Sequence, residues 1–282
     1  MNDFHQDLTL AEQAASGDRE ALEVLLSGVQ DLIFNLSLRM LGTVQDAQDA
    51  SQEILLKVMT HLSSYRGESA FSTWTFRIAA NHLQSYRRSM FSQRPLSFEV
   101  YGYDIANGRA QDVPDLTQGV DHALLERELK LSCTNVMLQC LDAPSRLVFI
   151  LGTMFRLDSR VAGEVLGMTP EAYRQKLSRV RRKMSEFLAG YCGLSGTGMC
   201  SCARRVNYAI ASHRIRPDAP EYTQMDERGA LIDSFTDAME ELDDASRVFA
   251  SLPCYRSAPQ VQKWIEDLLR GGQFETILDA KA

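Results

Sequence analysis

From Leu8 to Leu41 apolar residues fall at helical intervals. Thr9-Leu10-Ala11-Glu12 has the form of a capping box, Gly17-Asp18 is a break, and Ala21, Leu22, Leu25 and Leu26 continue one apolar face. A second helix carries Leu32, Ile33, Leu36, Leu38 and Met40 and closes at Leu41-Gly42-Thr43, where glycine suits a C-cap. The next helix, from near Val44, sets Asp46, Asp49 and Glu53 on one face, with Ala50, Ile54, Leu55 and Val58 turned away from it. A loop from His61 to Ser69 contains the turn Arg66-Gly67-Glu68-Ser69. It leads into a helix with Phe71, Trp74 and Ile78 at helical spacing and a basic end at Arg87 and Arg88.

The pattern lapses between Ser89 and Val120, where Pro95, Pro114, Gly102, Gly108 and Gly119 interrupt any period, so residues 91–120 read as a linker. Helical text resumes with Leu124, Leu125, Leu129 and Leu131, and Leu141-Asp142-Ala143-Pro144 marks a helix entry with proline in the first turn. From Asp158 to Met184 the chain has the form of a helix-turn-helix. The first helix ends at Leu166-Gly167-Met168, Thr169 caps the second, and Pro170 takes the first helical position. The expected fold is all-α. An N-terminal helical bundle (1–90) is followed by the linker (91–120), a helix-turn-helix domain (121–190) and a cysteine-containing acidic helical extension (191–282) with a regulatory role.

Composition adds bounds. The 282 residues suffice for two or three domains, and 45% hydrophobic with 24% charged residues is ordinary for a soluble protein. A net charge of −7 excludes a polycation overall, but charge is distributed unevenly. There is no run of about 18 wholly apolar residues, and the first residues are acidic and polar, so a cytoplasmic location is expected. No nucleotide-binding glycine loop, Ser/His/Asp arrangement or paired-carboxylate pocket stands out, and no catalytic residue or required cofactor is assigned.

Candidate chemistry lies in three places. Aromatic residues beside arginines on the Phe71 helix suit a surface that opens duplex DNA, since bases stack on aromatic faces while arginine meets phosphate; a buried amphipathic helix fits the same pattern. On the helix after Thr169, Arg174, Lys176, Arg179, Arg181, Arg182 and Lys183 stand against Glu171, a footprint for phosphate despite the acidic whole. A recognition helix there would read base edges with Glu171, Arg174, Gln175 and Ser178 and hold the backbone with Lys176, Arg179, Arg182 and Lys183, with Thr169 at its start a further contact. In the extension, Cys192, Cys200, Cys202 and His213 are candidate ligands for zinc; a redox-active thiol and plain structural cysteines are the alternatives. Arg204 and Arg205 beside Cys202 would favour its thiolate. Cys133 and Cys140 read as small core residues. Further on come the acidic residues Glu240, Glu241, Asp243 and Asp244, then an apolar face of Trp264, Ile265, Leu268 and Leu269.

The stretch YRGESAFSTWTFRIAANHLQSYRR, Tyr65 to Arg88, closely resembles the promoter-melting segment of bacterial extracytoplasmic-function sigma factors. DAQDASQEILLKVMTHL resembles that family's acidic segment, and LSRVRRKM its minus-thirty-five-reading segment. The resemblance covers residues 8 to 188 and omits the extension. It implies a subunit that binds bacterial core RNA polymerase through Asp46, Asp49, Gln52 and Glu53. It further implies minus-ten DNA contacts from Ser64, Tyr65, Arg66, Glu68, Trp74, Arg77, Asn81, Arg87 and Arg88, and minus-thirty-five contacts from the Thr169 helix. A separate anti-sigma protein is a further implied partner. Arg160-Val161 and Tyr173 depart from the family's usual residues. The competing reading is a helix-turn-helix regulator that senses metal or thiol state without joining polymerase.

Overall fold

The computed structural model describes residues 3–86, 96–107, 114–193, 198–225, 249, 254–257 and 259–270. Contacts divide the chain into two compact units, one of Met1–Ser89, Glu164–Gly167 and Cys254–Ala282, the other of Met90–Gly163 and Met168–Pro253. Among the described residues the regular structure is helical throughout.

The first unit is built on α1 (Asp3–Ala15), α2 (Arg19–Leu41), α3 (Val44–His61) and α4 (Phe71–Ser85). Local signals set the boundaries. Asp18 caps α2 by accepting from the N–H groups of Glu20 and Ala21 at 3.0 and 3.1 Å, and Gly42 ends it in the left-handed region at φ 89°. Thr43 then starts α3, its hydroxyl accepting from the Asp46 N–H at 3.1 Å. Thr9, in contrast, is no cap: it lies inside α1 and its hydroxyl donates back to the His5 carbonyl at 2.9 Å. The stretches around Ala21 and Leu32, divided in sequence, form the single helix α2.

By length and composition α2 is apolar enough to cross a membrane. In the fold it is the central core helix, with Leu22, Leu26, Ile33, Phe34, Leu36 and Leu38 at 2% exposure or less. α3 buries Ala47, Ala50, Ile54, Leu55 and Val58 as the pattern requires. The first unit also holds α12 (Pro259–Arg270; α5 to α11 follow below), whose Val261, Ile265, Leu268 and Leu269 are buried against α2 and α3, with Trp264 half-buried.

The second unit contains a helix where the sequence reads as linker, α5 (Phe98–Asn107). Its apolar residues have partners far along the chain, which is why no local period announces it. It joins α6 (His122–Gln139), α7 (Ala143–Phe149) with a π-helical turn at Ile150–Met154, α8 (Ser159–Leu166, its end from Glu164 counted in the first unit), α9 (Pro170–Tyr191), α10 (Cys202–Ala211) and the short α11 (Tyr222–Met225). Phe98 and Tyr101 pack on Phe187 at ring-centroid distances of 4.9 and 5.8 Å, and Phe187 on Tyr191 at 5.0 Å. Gly102 lets Tyr191 approach: a Cβ there would sit 2.5 Å from the ring.

The first part of the extension belongs to this core. Val206, Ala209 and Ile215 close over Leu125 and Leu129 of α6. The buried Glu128 carboxylate accepts from the backbone N–H groups of Glu221, Tyr222 and Thr223 at 2.7, 3.0 and 2.8 Å, fixing the start of α11. Residues 202–225 therefore complete the helix-turn-helix unit, and a break at residue 190 would open its apolar face. Glu240, Glu241, Asp243 and Asp244 lie outside the described residues.

Candidate nucleic-acid interface

In the first unit the turn before α4 is held tightly. Gly67 takes φ 68°, and a Cβ added there would lie 3.1 Å from Leu8. Asp7 of α1 accepts from the Phe71 N–H at 3.0 Å, capping α4 across the fold because Ala70 has no side-chain acceptor to offer. Tyr65, Phe71 and Trp74 form an aromatic cluster with centroid separations of 5.4 to 5.5 Å. Tyr65 and Phe71 are buried. The Tyr65 hydroxyl donates to the Ser69 carbonyl at 2.7 Å, and burial, with the Asp7 charge, pushes its pKa up to about 12. Tyr65 thus supports the site from inside rather than meeting a base in this conformation.

Ser64, Arg66 and Glu68 are exposed around the turn, Trp74 and Arg77 are half-buried and Asn81 is exposed. These side chains follow one another from the turn along α4. Arg87 and Arg88 lie outside the described residues. On α3, Asp46, Asp49 and Gln52 are half-buried and Glu53 is exposed. Asp46 has a structural duty as well, accepting from the Thr43 hydroxyl at 2.8 Å, and Asp49 accepts from Gln45 at 3.2 Å.

A buried histidine ties α3 to α4. His82 Nδ1 lies 2.8 Å from the Lys57 ammonium and Nε2 3.4 Å from the Glu53 carboxylate, so the neutral ring accepts from lysine and carries its proton toward Glu53. Burial, then the Lys57 charge, lowers the His82 pKa, with Glu53 opposing. A base whose folded pKa lies below the unfolded value of about 6.5 gives stability that is complete above that pH and lost as pH falls. Thermal melting should therefore decline more steeply from pH 7.5 to 5.5 for the native chain than for His82→Gln; parallel profiles would rule this linkage out.

In the second unit the helix-turn-helix forms as its residues dictate. Gly167 takes φ 64°, Thr169 accepts from the Ala172 N–H at 3.2 Å, and Pro170 opens α9. Gly163 allows the two helices to close: a Cβ there would meet the Met168 carbonyl at 2.7 Å. Tyr173, Val180, Met184, Phe187 and Leu188 form the inner face of α9. Tyr173 is accommodated by its surroundings: its hydroxyl donates to the Val148 carbonyl at 3.1 Å, and Gly152 leaves the room it needs.

The outer face of α9 carries Glu171, Arg174, Gln175, Ser178, Arg179, Arg182 and Lys183, all exposed, with Thr169 exposed at its start and Lys176 half-buried. Arg174 donates to the Ser159 hydroxyl at 3.0 Å, Gln175 lies 3.5 Å from Glu171, and the Lys183 ammonium stands over the Phe98 ring at 5.3 Å. Arg181 differs from its basic neighbours: it points inward and donates to Thr153 and to the Gly152 carbonyl, both at 3.0 Å.

Cys133, Cys192 and Cys200 lie within electrostatic range of Cys202, but His213 does not join them. His213 lies beyond the far end of α10 from Cys202, roughly 15 Å along the axis, whereas zinc bonds are about 2.0–2.3 Å. Among the described residues no group of three or more His, Cys, Asp or Glu side chains is placed to hold a metal ion. One of the two arginines beside Cys202 is also diverted, since Arg205 binds Asp104 at 2.8 Å. Burial, followed by the nearby Cys133, pushes the Cys200 thiol up to about 11, and burial raises Cys202 further. Such thiols stay protonated, which argues against an activated thiolate. Cys140 is a core residue, and Cys133 pairs with the Tyr101 hydroxyl at 2.9 Å.

Comparison with known proteins matches residues 25–90 to the sigma-70 region 2 family. The chain is 38% identical over 81 residues to the RNA polymerase sigma-H factor of Pseudomonas aeruginosa, covering 29% of this chain and 42% of the relative. It is 28% identical over 177 residues to the ECF RNA polymerase sigma factor SigW of Bacillus subtilis, covering 63% of this chain and 94% of the relative. With the ECF RNA polymerase sigma-E factor of Haemophilus influenzae it shares 34% identity over 101 residues, 36% of this chain and 52% of the relative. The chain thus spans about half of the first and third relatives and nearly all of the second. Among solved structures, CnrH in complex with the cytosolic domain of CnrY is similar at 23% identity and a TM-score of 0.46, over 64% of this chain and 96% of that one.

Proposed function

We propose that the chain is a sigma factor of the extracytoplasmic-function type, which binds bacterial core RNA polymerase and directs promoter-specific initiation. The observation that carries this reading is the alignment with SigW, which runs through 63% of this chain and nearly the whole relative. Region 2 alone would leave the helix-turn-helix unexplained. A free-standing regulator would leave the aromatic turn and the acidic helix unexplained.

In this role α3 meets polymerase through Asp46, Asp49, Gln52 and Glu53, a charge-complementary contact that sets partner choice and encounter rate. Ser64, Arg66 and Glu68 border the path of the separated minus-ten strand. Trp74 and Arg77 of α4, with Arg87 and Arg88 following in sequence, offer a stacking face and phosphate contacts, which offset the few kcal/mol needed to unstack a base. α9 enters a major groove at the minus-thirty-five element, its first turns on base edges and its later basic residues on phosphate. The protein adds no catalytic group; polymerase supplies the chemistry. It works in the cytoplasm beside polymerase, and an anti-sigma protein is a further partner implied by the family.

Run-off transcription from host promoter fragments with purified bacterial core polymerase tests the proposal. Transcripts that require this chain are expected, and Trp74→Ala should lower strand opening, read by permanganate reactivity of unpaired thymines, more than it lowers duplex binding. Duplex binding with no initiation would overturn the assignment in favour of a regulator outside polymerase.

A further inference from the structure

Three polar residues share one stripe of α2 near its C-terminal half: Asp31, Asn35 and Arg39, at i, i+4 and i+8. Asn35 is 4% exposed and Arg39 2%, an unusual position for an amide and a guanidinium unless something satisfies them. Main chain meets Asn35 and its neighbour Asp31, and an aromatic ring meets Arg39. The Asn35 amide donates to the Tyr255 carbonyl at 2.6 Å and its carbonyl oxygen accepts from the Tyr255 N–H at 2.9 Å. Asp31 accepts from the Ser257 N–H at 2.7 Å. The Tyr255 ring, 1% exposed, lies under the Arg39 guanidinium at 5.2 Å. Immediately afterwards α12 lays its buried face of Val261, Ile265, Leu268 and Leu269 on α2 and α3.

An amide that reads one residue's backbone in both directions, a second acceptor two residues on, an aromatic pocket and a groove for an amphipathic helix together form a peptide-recognition site. We propose that this face of α2 and α3 is a peptide-docking surface, that residues 254–270 of the same chain occupy it, and that they compete there with core RNA polymerase. The inference rests on the polymerase-binding reading, because α3 is the helix that carries Asp46, Asp49, Gln52 and Glu53. The occupant is joined to the rest of the chain by residues 226–253, so its local concentration is set by that tether rather than by the concentration of protein. Exchange of the segment for polymerase is therefore a matter of differential affinity for one surface.

Full-length protein and the full-length variant Tyr255→Ala/Ile265→Asp/Leu269→Asp are compared for affinity to purified bacterial core polymerase. The substitutions fall on the segment and leave α2, α3 and α4 intact, and melting of both proteins verifies that the rest remains folded. The variant is expected to bind polymerase at least tenfold more tightly. A synthetic peptide of residues 254–270 added to the variant should bind it, and should restore the weaker affinity in proportion to its concentration. Asn35→Ala introduced into the variant should abolish peptide binding. Equal polymerase affinity for the two proteins, or a peptide that binds without displacing polymerase, would overturn the competition. If neither protein binds polymerase while the peptide still docks through Asn35, the polymerase reading itself fails and the competition fails with it.

Discussion

Replacing Asp104 with alanine is expected to destabilise the second unit by roughly 3–5 kcal/mol, the cost of leaving a buried charge without its partner. Its carboxylate holds Arg205 and Arg214 at 2.8 and 2.7 Å and accepts from the Tyr208 hydroxyl, while the Arg205 side chain also donates to the Asp104 and Ile105 carbonyls at 3.2 Å. The arginine side chains are 8% and 22% exposed, so little water could replace the lost acceptor. Arg205 further lies over the Tyr208 ring at 4.6 Å, and Arg214 over Tyr101 at 5.3 Å. One carboxylate on α5 thereby fastens the helix after the cysteine loop to the core of the second unit.

Burial alone would raise the Asp104 pKa, but the Tyr208 hydrogen bond and the two arginines outweigh it and hold the group below its ordinary value. A depressed acid gives stability that is present above its unfolded pKa, about 3.9, and is lost as pH falls through the lower folded value. Urea melts of the native chain, Asp104→Ala and Asp104→Asn separate the contributions. Alanine should lose the whole effect and asparagine part of it, since an amide still accepts from arginine but carries no charge. An Asp104→Ala midpoint equal to the native one would show that the two guanidinium groups find other acceptors.

The features legible in sequence were those decided within a few residues. Asp18, Gly42, Asp142 and Thr169 act as caps or stops because the backbone groups they satisfy are next to them. The basic residues of α9 were legible as a set, but not which of them face outward: Arg181 turns in to Thr153 and Gly152. Thr9 shows the limit of a short motif: a helix that begins earlier turns a cap into an interior residue. What was not legible depends on partners far away. α5 owes its place to Phe187, Tyr191, Arg205 and Arg214, some 80 to 110 residues downstream. Asn35 meets Tyr255 across 220 residues. A polar residue every fourth position on α2 was the available signal, but it names a buried partner without saying which one. His213 was grouped with the cysteines by proximity in sequence, and the straight rise of α10 separates them.

The second large effect is expected on DNA rather than on folding. Arg179→Ala/Arg182→Ala removes cations from the exposed face of α9 and leaves its packed face untouched. If both arginines meet phosphate, the slope of log affinity against log salt should become shallower by about 1.8, since each neutralised phosphate contributes about 0.9 on B-DNA. The loss should be similar for any duplex sequence, because phosphate contacts position without specifying. Arg174→Ala, one turn nearer the start of the helix, should behave differently: a cost of about 1–3 kcal/mol confined to the preferred sequence, with relaxed discrimination at one base pair. Arg181→Ala is the internal control. That side chain is bonded to Thr153 and Gly152 inside the unit, so its removal should lower the melting temperature while the salt slope stays at the native value. Binding of labelled minus-thirty-five duplexes across a salt series reads all of these variants. The assignment of α9's outer face to DNA fails if the Arg179/Arg182 slope matches that of the native protein, because two exposed cations on a recognition helix cannot leave the phosphates without returning counterions to them.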